Sequence, residues 1–139
     1  MRYVLAVLAT LAIIYVVPFV FYGISSMVWD MKPPSDVSPA QFLLGILVSK
    51  TGTAIAFVLI YHFGKAGLGR RWVLYAFIWW LSFAIGELGQ AIGPGYTWKE
   101  AVIGVVSEAV YFPLAAVVTM GFIGATSGRA GSDGLSGEG

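Results

Sequence analysis

The chain consists mainly of four long apolar runs separated by short polar segments. Each run is close to the roughly 20 residues that an α-helix needs to cross the hydrocarbon core of a bilayer. The runs cover residues 3–28, 39–63, 72–92 and 97–123. The pattern predicts an all-α fold, an antiparallel bundle of four transmembrane helices.

The segments between the runs are rich in residues that end helices. Proline and glycine recur in KPPSD at 32–36, GKAGLGRR at 64–71 and GPG at 93–95. Such short breaks favour packing of successive helices side by side in opposite directions. We therefore expect one four-helix domain over residues 1–125, followed by a flexible Gly/Ser-rich cytoplasmic tail over residues 126–139.

Two of the runs begin with the pattern of a helix capping box, in which a serine or threonine precedes a glutamine or glutamate by three residues. The pairs are Ser38 with Gln41 and Thr97 with Glu100. In this motif each side chain binds a backbone N–H group of the other residue. The second and fourth helices are therefore predicted to start at these pairs.

Composition agrees with a membrane location and excludes several kinds of site. Hydrophobic residues make up 58% of the chain and charged residues 11%, against about 25% charged in soluble domains. A net charge of +1 gives no reason to expect a nucleic-acid partner. The chain has no cysteine and a single histidine, so no metal site and no cofactor are expected.

The basic residues predict the orientation in the bilayer, because cytoplasmic loops carry an excess of lysine and arginine. Five of them fall on one side of the predicted helices and two on the other. The larger group is Arg2, Lys65, Arg70, Arg71 and Arg129, and the smaller is Lys32 and Lys99. We expect a multi-pass protein of the cell membrane with both termini in the cytoplasm.

Three ionisable residues lie inside the predicted spans, where each costs a few kcal/mol. At 1.5 Å per residue, Lys50 lies about 16 Å and Glu108 about 10 Å below the outer boundary of the hydrocarbon core. A Lys50–Glu108 ion pair is the economical arrangement. The candidate intramembrane polar cluster is Lys50, Glu87, Gln90, Glu108 and Tyr111. Such a cluster either fixes helix packing or binds a proton, ion or ligand.

The residues that share a helical face with Glu108 are small or polar. They are Gly104, Tyr111, Ala115 and Thr119. Small residues allow helix backbones to approach closely in membranes. This stripe is therefore predicted to be a helix-packing seam.

A second candidate site is basic and lies near the predicted cytoplasmic side. It comprises His62, Lys65, Arg70 and Arg71. Such residues attract anionic lipid headgroups. The same residues also serve as the ordinary positive-inside signal, and both interpretations stay open.

No catalytic motif is found, which favours a protein without enzymatic activity. The expected function is a non-catalytic accessory or assembly subunit. Its partners would be the lipid bilayer and a homo-oligomer or larger membrane complex. The alternative is an oligomeric small transporter, or an ion or proton pathway, built around Lys50, Glu87 and Glu108. An enzyme that acts on a lipid or quinone is a third class.

Two stretches resemble a known group of sequences. One is FVFYG at residues 19–23, and the other is the helix that begins with YTWKE at 96–100 and ends with GFIG at 121–124. They resemble small four-helix bacterial membrane proteins that are grouped as a domain of unknown function. The resemblance implies the same topology and carries no activity or functional residue.

Overall fold

The four predicted helices are present in the computed structural model, which describes residues 1–30, 38–68 and 71–124. Within these ranges the regular secondary structure is entirely α-helical. The helices are α1 (Arg2–Trp29), α2 (Pro39–Leu68), α3 (Trp72–Ile92) and α4 (Trp98–Gly124). All four are long and apolar enough to cross a membrane. The predicted tail over residues 126–139 lies outside the described residues.

Helix α2 is longer than the sequence pattern predicts. Its apolar run ends at residue 63, yet the helix continues to Leu68 through Gly64 and Gly67. Each glycine inside a helix costs about 1 kcal/mol relative to alanine, far less than a proline would. Glycine alone is therefore too weak a signal to end this helix.

Both predicted capping boxes are confirmed. The backbone N–H of Gln41 donates to Ser38 Oγ at 3.2 Å, and that of Ser38 donates to Gln41 Oε1 at 3.3 Å. In the second box, Glu100 N–H donates to Thr97 Oγ1 at 3.3 Å, and Thr97 N–H donates to Glu100 Oε2 at 2.7 Å. These reciprocal bonds satisfy backbone donors that a helix start leaves unpaired.

Helix α4 is the central helix. It packs extensively against α1 and α3, whereas α2 packs on α1 and only weakly on α3 and α4. Half of the most apolar window of α4 is buried, compared with 17% in each of the other helices. The core is therefore organised around α4, and the first half of α2 stands at its edge.

The predicted packing seam along α4 is confirmed by burial. Gly104, Glu108, Tyr111, Ala115 and Thr119 are all buried. At one end of the seam, Thr119 forms a 3.0 Å hydrogen bond with Thr10 of α1, and both hydroxyls are fully buried. The small side chains let α1 approach α4 closely.

A second part of the core consists of stacked rings from three helices, which we call the aromatic cluster. Phe57 stacks on Phe112 with a centroid distance of 5.9 Å, and Trp79 lies 5.2 Å from Phe57. The hydroxyl of Tyr75 donates to the backbone carbonyl of Phe57. The members are Phe57 and Tyr61 of α2, Tyr75 and Trp79 of α3, and Phe112 of α4.

Candidate functional site

Glu87 of α3 lies directly against the backbone of α4. An ideal Cβ atom built on Gly104 would come within 2.6 Å of Glu87 Cδ and 2.8 Å of its Oε2 atom. Real Cβ atoms essentially never come that close, so a larger residue at position 104 would force this carboxyl group to shift. Gly104 lies one turn before Glu108 on the same face of α4. The Glu87 side chain of α3 therefore packs against the face of α4 that carries Glu108.

Glu108 carries the more deeply buried of the two carboxyl groups, with 2% of its surface exposed. Its carboxyl group interacts electrostatically with Glu87 and with Lys50. Within the described part of the chain, Glu108 Oε2 is a buried side-chain atom without a hydrogen-bond partner. An unsatisfied buried oxygen of this kind costs about 1–3 kcal/mol, more if it is charged.

Lys50 approaches the carboxyl groups but contacts a tyrosine. Its ammonium group donates to the hydroxyl of Tyr111 at 3.4 Å and lies 5.4 Å from the centre of that ring and 5.6 Å from the Phe83 ring. The described residues contain no direct Lys50–Glu108 ion pair, contrary to the expectation from depth. Tyr111 lies one turn further along α4, about 4.5 Å at 1.5 Å per residue. It therefore matches the depth of Lys50 better than Glu108 does.

Two further tyrosines complete the group, and neither of them was predicted from the sequence. Tyr96, in the loop between α3 and α4, donates its hydroxyl hydrogen to Glu87 Oε2. Tyr22 of α1 lies 3.1 Å from the Tyr96 hydroxyl and also donates to the backbone carbonyl of Glu100 at 3.2 Å. Burial, reinforced by the hydrogen bond to Glu87, raises the pKa of Tyr96, so this hydroxyl stays protonated and donating.

We call this assembly the carboxyl cluster. Helices α1 to α4 and the loop between α3 and α4 all contribute to it. Its members are Tyr22, Lys50, Glu87, Tyr96, Glu108 and Tyr111. Four of the five residues predicted for the intramembrane site are therefore brought together. The fifth, Gln90, has an exposed side chain one turn beyond Glu87.

The chemistry available to the carboxyl cluster is proton and hydrogen-bond exchange. Carboxyl and phenol groups both donate and accept protons, and the ammonium of Lys50 donates only. No group of three or more histidine, cysteine, aspartate or glutamate residues that could hold a metal occurs within the described ranges. The cluster therefore offers two carboxyl groups, one ammonium group and three phenol hydroxyls.

An open groove lies beside Lys50 on the first half of α2. Its volume is about 410 Å³. The residues that line it are Gln41, Phe42, Gly45, Ile46, Ser49 and Lys50. The groove therefore connects the exposed surface of α2 with the edge of the carboxyl cluster.

The predicted basic site is only partly brought together. His62 Nδ1 forms a 3.2 Å hydrogen bond with the hydroxyl of Tyr3, and the two rings meet edge to face at 4.9 Å. Lys65 is half-buried and Arg71 is exposed, while Arg70 lies outside the described residues.

Comparison with known proteins adds no relative. No protein-family model matches the chain, and no curated protein or solved structure is significantly similar to it.

Proposed function

We propose that the chain is a multi-pass protein of the cell membrane, folded as an antiparallel bundle with both termini in the cytoplasm. Contacts between helix ends support the antiparallel arrangement. Tyr3, at the start of α1, contacts His62 near the end of α2, and Thr10 contacts Thr119 near the end of α4. Tyr22, near the end of α1, contacts Glu100 at the start of α4. A reporter fused after Gly139 should be active only in its cytoplasmic form, and activity outside the cytoplasm would refute the orientation.

Within that membrane, the proposed function is that of a non-catalytic accessory or assembly subunit. The observation that carries this proposal is the unpacked first half of α2. Gln41, Gly45 and Ser49 recur at intervals of four residues, are exposed and line the groove. Small and polar residues on one face are typical of helix–helix interfaces in membranes, because lipid tails do not satisfy them. This face is suited to a helix of another membrane protein.

Substitutions on two exposed glycines test the accessory role. Gly45→Leu fills the groove, and Gly86→Leu on α3 is the matched control, since a Cβ at either position meets no atom within 4 Å. Native mass spectrometry after purification in mild detergent should show a stoichiometric complex with another membrane protein. Gly45→Leu should abolish that complex and Gly86→Leu should preserve it. A wild-type protein that is strictly monomeric, or a complex unaffected by Gly45→Leu, would refute the proposal.

A second candidate function is an oligomeric small transporter or proton pathway. The buried Oε2 of Glu108, which has no hydrogen-bond partner, favours it, because a carboxyl group kept only for packing would be expected to have such partners. Intramembrane acids with this character mark proton and ion pathways. Proteoliposomes should then show a proton flux that Glu108→Gln abolishes and that Glu100→Gln, in the exposed capping box, leaves unchanged. Equal flux in wild-type and empty vesicles would exclude this function.

A further inference from the structure

The carboxyl cluster contains more acid than base. Two carboxyl groups, Glu87 and Glu108, interact with each other, and one ammonium group, that of Lys50, interacts with both. If all three were ionised, the cluster would carry a net charge of −1 in a region where uncompensated charge is expensive. Retaining one proton on the two carboxyl groups makes the net charge zero.

Among the described residues, the elements packed against the two carboxyl groups supply no second positive charge. The titratable or charged groups are Tyr22 of α1, Lys50 of α2, Tyr96 of the loop between α3 and α4, and Glu100 and Tyr111 of α4. Three are neutral phenols, and the carboxylate of Glu100 is engaged in capping α4. Lys50 is thus the single described cation in the cluster.

The hydrogen bonds also distinguish the two carboxyl groups. Glu87 Oε2 accepts a hydrogen bond from the Tyr96 hydroxyl, and such a bond is stronger when the acceptor is ionised. Glu108 Oε2 is buried and receives no such donor. A carboxyl oxygen in that environment is stabilised by carrying the proton itself and directing it toward the neighbouring carboxylate.

From this geometry we infer that Glu87 and Glu108 form a proton-binding site, in which the two carboxyl groups share one exchangeable proton at neutral pH. The negative charge resides mainly on Glu87, and the proton mainly on Glu108. Tyr96 links the pair to the exposed loop between α3 and α4, so protons exchange from that side of the molecule. The inference holds whether or not the protein conducts protons across the membrane.

Infrared spectroscopy of the protein in lipid nanodiscs tests the shared proton. The wild-type spectrum at neutral pH should contain the C=O stretch of one protonated carboxyl group per chain, shifted in D₂O. Because the Glu100 carboxyl group is bonded to Thr97 in the capping box and not to either of the two carboxyls, Glu100→Gln should leave the band unchanged. Lys50→Met should retain it, since removing the cation increases the need for a proton.

The two carboxyl variants distinguish sharing from simple burial. Glu108→Gln removes the protonated group, and Glu87→Gln lets Glu108 ionise against Lys50, so both should lose the band. A band that survives Glu87→Gln would show that Glu108 holds its proton by burial alone and would overturn the sharing. A wild-type spectrum without the band would overturn the whole inference. Because this measurement uses only the wild-type protein, it does not depend on whether the variants fold.

Discussion

The aromatic cluster and the carboxyl cluster both contain tyrosines, but the hydrogen-bond partners of their polar groups differ. In the aromatic cluster, the Tyr75 hydroxyl donates to a backbone carbonyl, and the surrounding contacts are between rings. In the carboxyl cluster, Tyr96 donates to an acidic side chain, and Glu108 Oε2 has no partner. The first arrangement is typical of a structural core. The second costs stability, and such costs are usually retained where a site has a function.

The largest effect should come from emptying the aromatic cluster. Phe112 is fully buried and contacts rings from both α2 and α3. Phe112→Ala should lower the free energy of unfolding by about 3 kcal/mol, because removing the buried ring loses its packing contacts and leaves a cavity. Thermal unfolding in detergent measures this loss. Phe19→Ala, at a 62% exposed position of α1, is the control and should have little effect. Equal losses in the two variants would mean that the aromatic cluster is not a core.

A smaller effect is expected where the carboxyl cluster depends on a glycine. Gly104→Ala places a methyl group on the Glu87 carboxyl and should displace it from Tyr96. Losing a hydrogen bond to a charged group should cost about 2 kcal/mol of stability. The same substitution at Gly121 of α4, where a Cβ meets no atom within 4 Å, should be harmless.

The mechanism of the Gly104 effect can be separated from a general packing defect. In a Glu87→Ala background there is no carboxyl group to displace. Gly104→Ala should then cost almost nothing in the same thermal-unfolding assay. An undiminished cost in that background would show that Glu87 is not what the glycine accommodates.

The smallest effect distinguishes the tyrosines of the two clusters. Tyr111→Phe should cost about 1 kcal/mol in the wild-type protein, because Lys50 loses its hydrogen-bond acceptor. In a Lys50→Met background that cost should disappear. Tyr75→Phe, in the aromatic cluster, should cost the same in both backgrounds, since its acceptor is the Phe57 carbonyl. If Tyr75 and Tyr111 behave alike, the contrast between the clusters is not real.

Local signals in the sequence predicted the helices well. Hydrophobic runs predicted the four helices, the two capping boxes predicted the starts of α2 and α4, and the small-residue stripe of α4 predicted its buried seam. Each of these depends on neighbours within a few turns of one helix. The end of α2 was predicted five residues early, since its glycines are compatible with a helix.

The site was harder to predict because it depends on contacts between elements. Depth along the helices brought Lys50, Glu87 and Glu108 to similar levels but did not specify side-chain partners. Pairing Lys50 with a residue of opposite charge predicts Glu108 as its partner, whereas in the structure Lys50 donates to the neutral hydroxyl of Tyr111. Tyr96 was not among the residues predicted for the site. Its role depends on how the GPG turn returns the chain toward α3.

The central claim is that Glu87 and Glu108 act as one unit, and a double-mutant cycle tests it most directly. Glu87→Gln, Glu108→Gln and the double variant are compared with the wild type by free energy of unfolding in nanodiscs at neutral pH. Either single substitution leaves one carboxylate opposite the Lys50 ammonium, whereas the double variant leaves that ammonium uncompensated, so the double variant should cost more than the sum of the two single costs. We predict a coupling energy of at least about 0.5 kcal/mol. Additivity within about 0.3 kcal/mol would contradict the claim, because two carboxyl groups that share a proton cannot contribute independently.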